Sequence, residues 1–284
     1  MIHIDTRAGR FAAWETGAGP LVLCFHGFPD TAATFEPLAA QLSGYRVVAP
    51  WMRGYVPSVA SGPYDEEQLA DDIIALADAL SPDRPVYLVG HDWGAVATYG
   101  ALVRAPARFI AAVTLAVPHP GAFLANLRRY PRQIARSWYM TFFQLPRAPE
   151  WALRHGLIDG LWRAWSPRLR HPLADVVRTV TDSLPAPVEY YRTMGRRLVS
   201  GIRPPPARIA TPTLYLHGAD DGAIGPEIAE GQGRWFSGEL REEILPARGH
   251  FLHLEDPAGV GARILSWLDT HPPPGDRGAA PRPR

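Results

Sequence analysis

Gly90-His91-Asp92-Trp93-Gly94 lies between a short apolar run, residues 85–89, and a helical pattern that starts near Gly94 and is stopped by Pro106. That setting is the one a nucleophile elbow requires, a reactive side chain on a strained strand-to-helix turn. Gly90 and Gly94, two residues to either side of Asp92, let the strand and helix backbones pass closely, and Ala95 keeps the helix start uncluttered. Taken alone, G-x-D-x-G is a weak signal, because an Asp that only caps a helix reads the same way. Its place in a strand–helix series is what gives it weight.

The series extends in both directions. Upstream, residues 10–15 read as a strand, 16–20 as a turn, and Leu21–Phe25 as a continuous apolar run suited to a strand covered on both faces. Residues 34–42 have helical spacing and 45–49 form another strand. Glu66–Leu80 places Leu69, Ile73, Leu76 and Leu80 on one helical face. Downstream, residues 109–117 read as a strand. Such alternation implies a parallel sheet with right-handed crossovers.

The pattern breaks between residues 119 and 206, which carry little strand signal and many arginines and aromatics, including Trp138, Trp151, Trp162 and Trp165. This stretch is expected to be a helical insertion, with Pro204-Pro205-Pro206 marking its exit. Strands resume at 213–216 and 243–245, and a last helix covers 257–269. The expected organisation is an α/β core from residues 1–118 and 207–270, a helical cap over 119–206, and a disordered tail over 271–284.

Composition bounds the function class. The 284 residues are 46% hydrophobic and 20% charged, with a net charge of +1, so nothing argues for a nucleic-acid or anionic-membrane partner. All 29 basic residues are arginine, as a GC-rich bacterial genome would produce. The lone Cys24 is expected to be a buried structural thiol. No signal peptide or membrane span is apparent, and the default expectation is a cytoplasmic protein, monomer or homodimer.

An aspartate at the elbow narrows the chemistry. A carboxylate is ionised at neutral pH and needs no base to activate it. Attacking an ester would produce a labile anhydride, whereas attacking a saturated carbon with a good leaving group produces a stable alkyl ester. A strained epoxide and an alkyl halide are the two obvious substrates. Hydrolysing the ester then requires a base, and His250, directly after Gly249, is the choice; His253 points elsewhere if that segment enters a helix. The partner of the base is expected at Asp221, the third residue after Gly218, with Asp220 in reserve. The order Asp92, Asp221, His250 is nucleophile, acid, base. Backbone N–H groups of Trp93 and of Phe28, in His26-Gly27-Phe28-Pro29, are the expected oxyanion donors.

These motifs, with Met52-Arg53-Gly54-Tyr55, resemble those of the α/β-hydrolase epoxide hydrolases, over essentially the whole chain apart from the tail. The resemblance implies the α/β-hydrolase fold, a mostly parallel sheet flanked by helices with an inserted cap. It also implies two cap tyrosines that donate to the epoxide oxygen. Tyr139, five residues before Gln144, takes one position; Tyr191, before Arg192, takes the other, with Tyr190 the alternative. His26, Pro29, Trp138 and Phe143 are expected to line a small apolar or aromatic epoxide. No cofactor or metal is expected.

Two departures, Trp51 where an Asp is usual and Val56 where a glycine is common, bear on a nearby loop. A haloalkane dehalogenase would use the same nucleophile but often has Asn where Phe28 stands. A fluoroacetate dehalogenase would carry arginines at the places of Trp93 and Val96. A non-catalytic relative would have lost the nucleophile or the base, and both are present.

Overall fold

Eight strands form one sheet: β1 Ile2–Thr6, β2 Gly9–Gly17, β3 Leu21–Phe25, β4 Arg46–Pro50, β5 Val86–His91, β6 Phe109–Leu115, β7 Thr213–Gly218 and β8 Leu240–Leu245. Their spatial order is β1-β2-β4-β3-β5-β6-β7-β8. The computed structural model describes residues 1–201 and 208–275. Strands β4 to β8 run parallel to β3, while β2 pairs antiparallel with both β1 and β4. β3, β5 and β7 are buried along their whole length, which is why each reads as an apolar run instead of an alternation.

The outer strands of the sheet carry mixed polarity. β1 (Ile2-His3-Ile4-Asp5-Thr6) is a short outer strand of mixed polarity, and no expectation covered it. β8 begins at Leu240, three residues before the expected 243, because Arg241, Glu242 and Glu243 mask its start. Charged, partly exposed side chains of this kind are what an edge strand tolerates.

Helices α1 Glu36–Ala39, α2 Glu66–Leu80 and α3 Trp93–Arg104 belong to the first half of the chain. Asp65 caps α2 by accepting the Gln68 N–H at 2.8 Å. α2 buries Leu69, Ile73 and Leu76 in the core on one sheet face, beside α3. The expected helix over 34–42 is only a 3-10 turn, Ala32–Phe35, running into α1. Between β6 and β7 the described residues hold no strand. They form α4 Pro120–Asn126, α5 Pro131–Arg136, α6 Trp138–Phe142, α7 Ala148–Ala152, α8 Ile158–Trp165, α9 Ala174–Asp182 and α10 Ala186–Val199. The proline exit at 204–206 and most of the tail lie outside the described residues.

α11 Leu252–Glu255 and α12 Pro257–Thr270 close the chain. α12 buries Val260, Ile264, Trp267 and Leu268 on the opposite sheet face, with Leu38 of α1 and with Cys24, which is buried as expected. No described helix is long and apolar enough to cross a membrane.

Arg53 anchors the loop that follows β4. Its guanidinium pairs bidentately with Asp72 of α2 at 2.7 and 2.6 Å, and donates to the carbonyls of Ser61 and Ala8. With both partners buried, this fork fixes the loop after β4 onto α2.

Candidate active site

Loops after the carboxyl ends of β3, β5, β7 and β8 bring Phe28, Asp92, Asp221 and His250 together. Asp92, between β5 and α3, has φ 52° and ψ −118°, a strained conformation for a non-glycine residue. The turn is tight enough that a methyl group at Gly90 would strike the Gly94 backbone and Thr98, and one at Gly94 would strike the carbonyl of Phe25. Both glycines are therefore demanded by close backbone approach.

One Asp92 oxygen, Oδ1, accepts the Phe28 N–H at 2.7 Å. Its other oxygen, Oδ2, lies 3.6 Å from His250 Nε2. The opposite ring nitrogen, His250 Nδ1, is 2.8 Å from Asp221 Oδ2. Asp221 is itself held, its Oδ1 accepting from Ala223 N and Ile224 N at 2.7 and 2.9 Å. Asp220, the reserve candidate, is more exposed and pairs with Arg168 instead. Trp93 is the first residue of α3, so no helix carbonyl can reach its amide.

Burial alone would lower the His250 pKa, but the adjacent Asp221 carboxylate, its hydrogen bond and Asp92 together push it up to about 10. Burial opposes ionisation of Asp221 as well, yet His250, His217 and the Ile224 N–H hold its carboxyl below the usual range.

From the helical segment, Tyr139 of α6 and Tyr191 of α10 descend toward Asp92, with ring centroids 5.8 Å apart. Both are buried. Burial first, and then the Asp92 charge, raise both phenols well above their ordinary pKa, so both keep their protons. The Tyr191 hydroxyl has no hydrogen-bond partner among the described residues; the Trp93 indole flanks it and opposes the rise without the alignment of a bond. Tyr190 differs: its hydroxyl donates to the Arg53 carbonyl at 2.5 Å.

A family model described as the alpha/beta hydrolase fold matches residues 20–257. The mouse protein named Epoxide hydrolase 4 is 31% identical over 274 residues, covering 90% of this chain and 75% of that one. Epoxide hydrolase A of Mycobacterium tuberculosis is 27% identical, covering 93% and 96%. The chain belongs to the epoxide hydrolase family of α/β-hydrolases. The crystal structure of Epoxide Hydrolase A from Mycobacterium thermoresistibile superposes with a TM-score of 0.78 at 25% identity, covering 94% of this chain and 97% of that one.

Three residues expected to line the substrate have other engagements in the structure. His26 is buried and fully engaged, with Nδ1 donating to the Gly27 carbonyl at 2.9 Å and Nε2 accepting the Met52 N–H at 3.0 Å. It ties the β3 loop to the β4 loop and has no ring nitrogen left for a ligand. Pro29 offers its carbonyl to Trp162 Nε1 at 2.7 Å, anchoring α8. Trp138 is 49% exposed and packs on Phe142. Residues 139 and 143 sit one turn apart on the inner face, which turns 138 and 142 outward. Phe143 does reach the site, its ring edge-on to Phe28 and Tyr191.

Sequence reasoning missed the carbonyl of Trp165, the last residue of α8. It accepts from His250 N at 3.0 Å and from Gly222 N at 3.1 Å, joining the acid and base loops. Ser166 Oγ accepts from Phe251 N at 2.9 Å. A backbone acceptor at an unwound helix end has no residue-type signature, so only its position reveals it.

Proposed function

We propose that this protein hydrolyses an epoxide to a vicinal diol through a covalent ester on Asp92. One observation carries the reading: an ionisable carboxylate at a strained elbow faces a histidine on one side and two protonated phenols on the other. Asp92 Oδ2 attacks a ring carbon, the carbon–oxygen bond breaks, and Tyr139 and Tyr191 donate to the departing oxygen. The phenol that loses its proton regains it from solvent, leaving a hydroxyalkyl ester.

His250 then takes a proton from water, which attacks the ester carbonyl carbon. The oxyanion forms at Oδ1, where Phe28 N–H already donates at 2.7 Å and the free Trp93 N–H is the second donor. Collapse releases the diol, with His250 returning its proton, and Asp92 retains an oxygen that came from water.

The raised pKa of His250 means that the resting imidazole holds a proton, which it releases to solvent before it acts as the base. Asp92's charge is one cause of the rise, and esterification removes that charge, so the imidazole becomes easier to deprotonate just when a base is needed. The helices within residues 119–201 act in this reading as the cap that carries both tyrosines and excludes water. Their aromatic lining suits a small apolar or aromatic epoxide.

The test is diol formation from styrene oxide, with halide release from a 1-haloalkane measured in parallel. Diol with little halide supports epoxide hydrolysis; halide release without diol would assign the same nucleophile to dehalogenation.

A further inference from the structure

Directly behind the elbow, three side chains of the described residues converge. Asp30 follows the His26-Gly27-Phe28-Pro29 turn, His91 ends β5, and His253 lies in α11. All three are 0% exposed. Asp30 Oδ1 accepts the Thr31 N–H at 2.7 Å, but Oδ2 has no partner.

His91 Nε2 faces the His250 carbonyl at 3.0 Å and must carry a proton to bond it, so in the neutral ring Nδ1 presents a lone pair. That lone pair lies 3.5 Å from Asp30 Oδ2. His253 Nε2 is 3.7 Å from the same oxygen, and neither His253 nitrogen is bonded. The ligand atoms all fall within 4.8 Å of one another.

A lone pair facing a carboxylate oxygen in a buried site is costly unless something positive sits between them. A proton shared by Asp30 and His91 would satisfy those two and leave His253 with neither nitrogen engaged. A metal ion engages all three. Zinc binds imidazole nitrogen and carboxylate oxygen at roughly 2.0–2.2 Å in tetrahedral geometry, which places ligands about 3.3–3.5 Å apart. The 3.5 and 3.7 Å separations are a few tenths of an ångström from that.

We propose that Asp30, His91 and His253 form a buried site for a divalent transition-metal ion of the zinc class. The ion cross-links the three loops that carry Phe28 N–H, Asp92 and His250. These are positioning residues: His91 precedes Asp92 in the chain and holds the His250 carbonyl, so the ion steadies the reactive groups without touching substrate. The assignment stands whether or not the reaction on Asp92 is epoxide hydrolysis.

The test uses the full chain, stripped of metal by dialysis and titrated with Co(II) and with Zn(II). Expected are one equivalent of Co(II) per chain with visible bands of a four-coordinate nitrogen–oxygen site, and a higher Tm with Zn(II). His253→Gln and Asp30→Asn are each expected to weaken Zn(II) binding about tenfold or more. No retained equivalent, or equal affinity in both variants, overturns the site. Should the variants not fold, zinc-edge X-ray absorption on the wild-type protein decides: two imidazoles in the metal shell support the site, and any other number overturns it.

Discussion

Tyr190 donates its hydroxyl to the backbone carbonyl of Arg53 at 2.5 Å, and Arg53 is itself locked to Asp72. This contact spends the Tyr190 phenol on holding α10 against the core, and leaves the neighbouring Tyr191 as the phenol facing Asp92. Adjacent residues on a helix point about 100° apart, so the two tyrosines cannot share a task.

Tyr190→Phe should therefore lower stability by about 1 kcal/mol through the lost hydrogen bond, with turnover within a few-fold of wild type. Tyr191→Phe should cut kcat by about 100-fold or more, and Tyr139→Phe with Tyr191→Phe far more than either alone. Thermal unfolding and steady-state kinetics of the four variants and the wild type check this. The reverse pattern, with Tyr190→Phe inactive and Tyr191→Phe active, would move the role by one residue.

His250→Gln should trap the ester. Intact-mass spectrometry after mixing with styrene oxide should show one added substrate mass, mapped to the peptide containing Asp92. Absence of any adduct in a folded variant, with the wild type active, would remove the covalent route.

Stability should depend on pH through His250. Its folded-state pKa is raised to about 10, above the unfolded value of about 6.5. Its contribution is therefore fully present below pH about 6.5 and is lost as pH rises through about 10. Wild-type Tm should fall toward that of His250→Gln across this window, and parallel Tm curves would contradict it. Asp221→Asn removes the main cause of the raised pKa and should bring the loss to lower pH.

Phe143→Ala should cost about 3–5 kcal/mol and impair turnover, since the ring is fully buried against Phe28 and Tyr191. Trp138→Ala should stay within about 0.5 kcal/mol of wild type with KM unchanged, because half of that ring meets solvent. Chemical denaturation and KM for styrene oxide measure both.

The chain's linear order was enough to determine the parallel sheet, the elbow at Asp92 and the placing of His250 and Asp221 after later strands. Each rests on local pattern: apolar runs for strands covered on both faces, glycines where backbones must cross, and strand ends where loops gather. Tertiary structure alone decided that His26 is spent on two backbone groups, that Trp138 faces out, that the Trp165 carbonyl joins two loops, and that Asp30, His91 and His253 meet. Those outcomes depend on which way a side chain points and on contacts between residues as much as 223 positions apart, as between Asp30 and His253. Residue type and spacing carry no record of either.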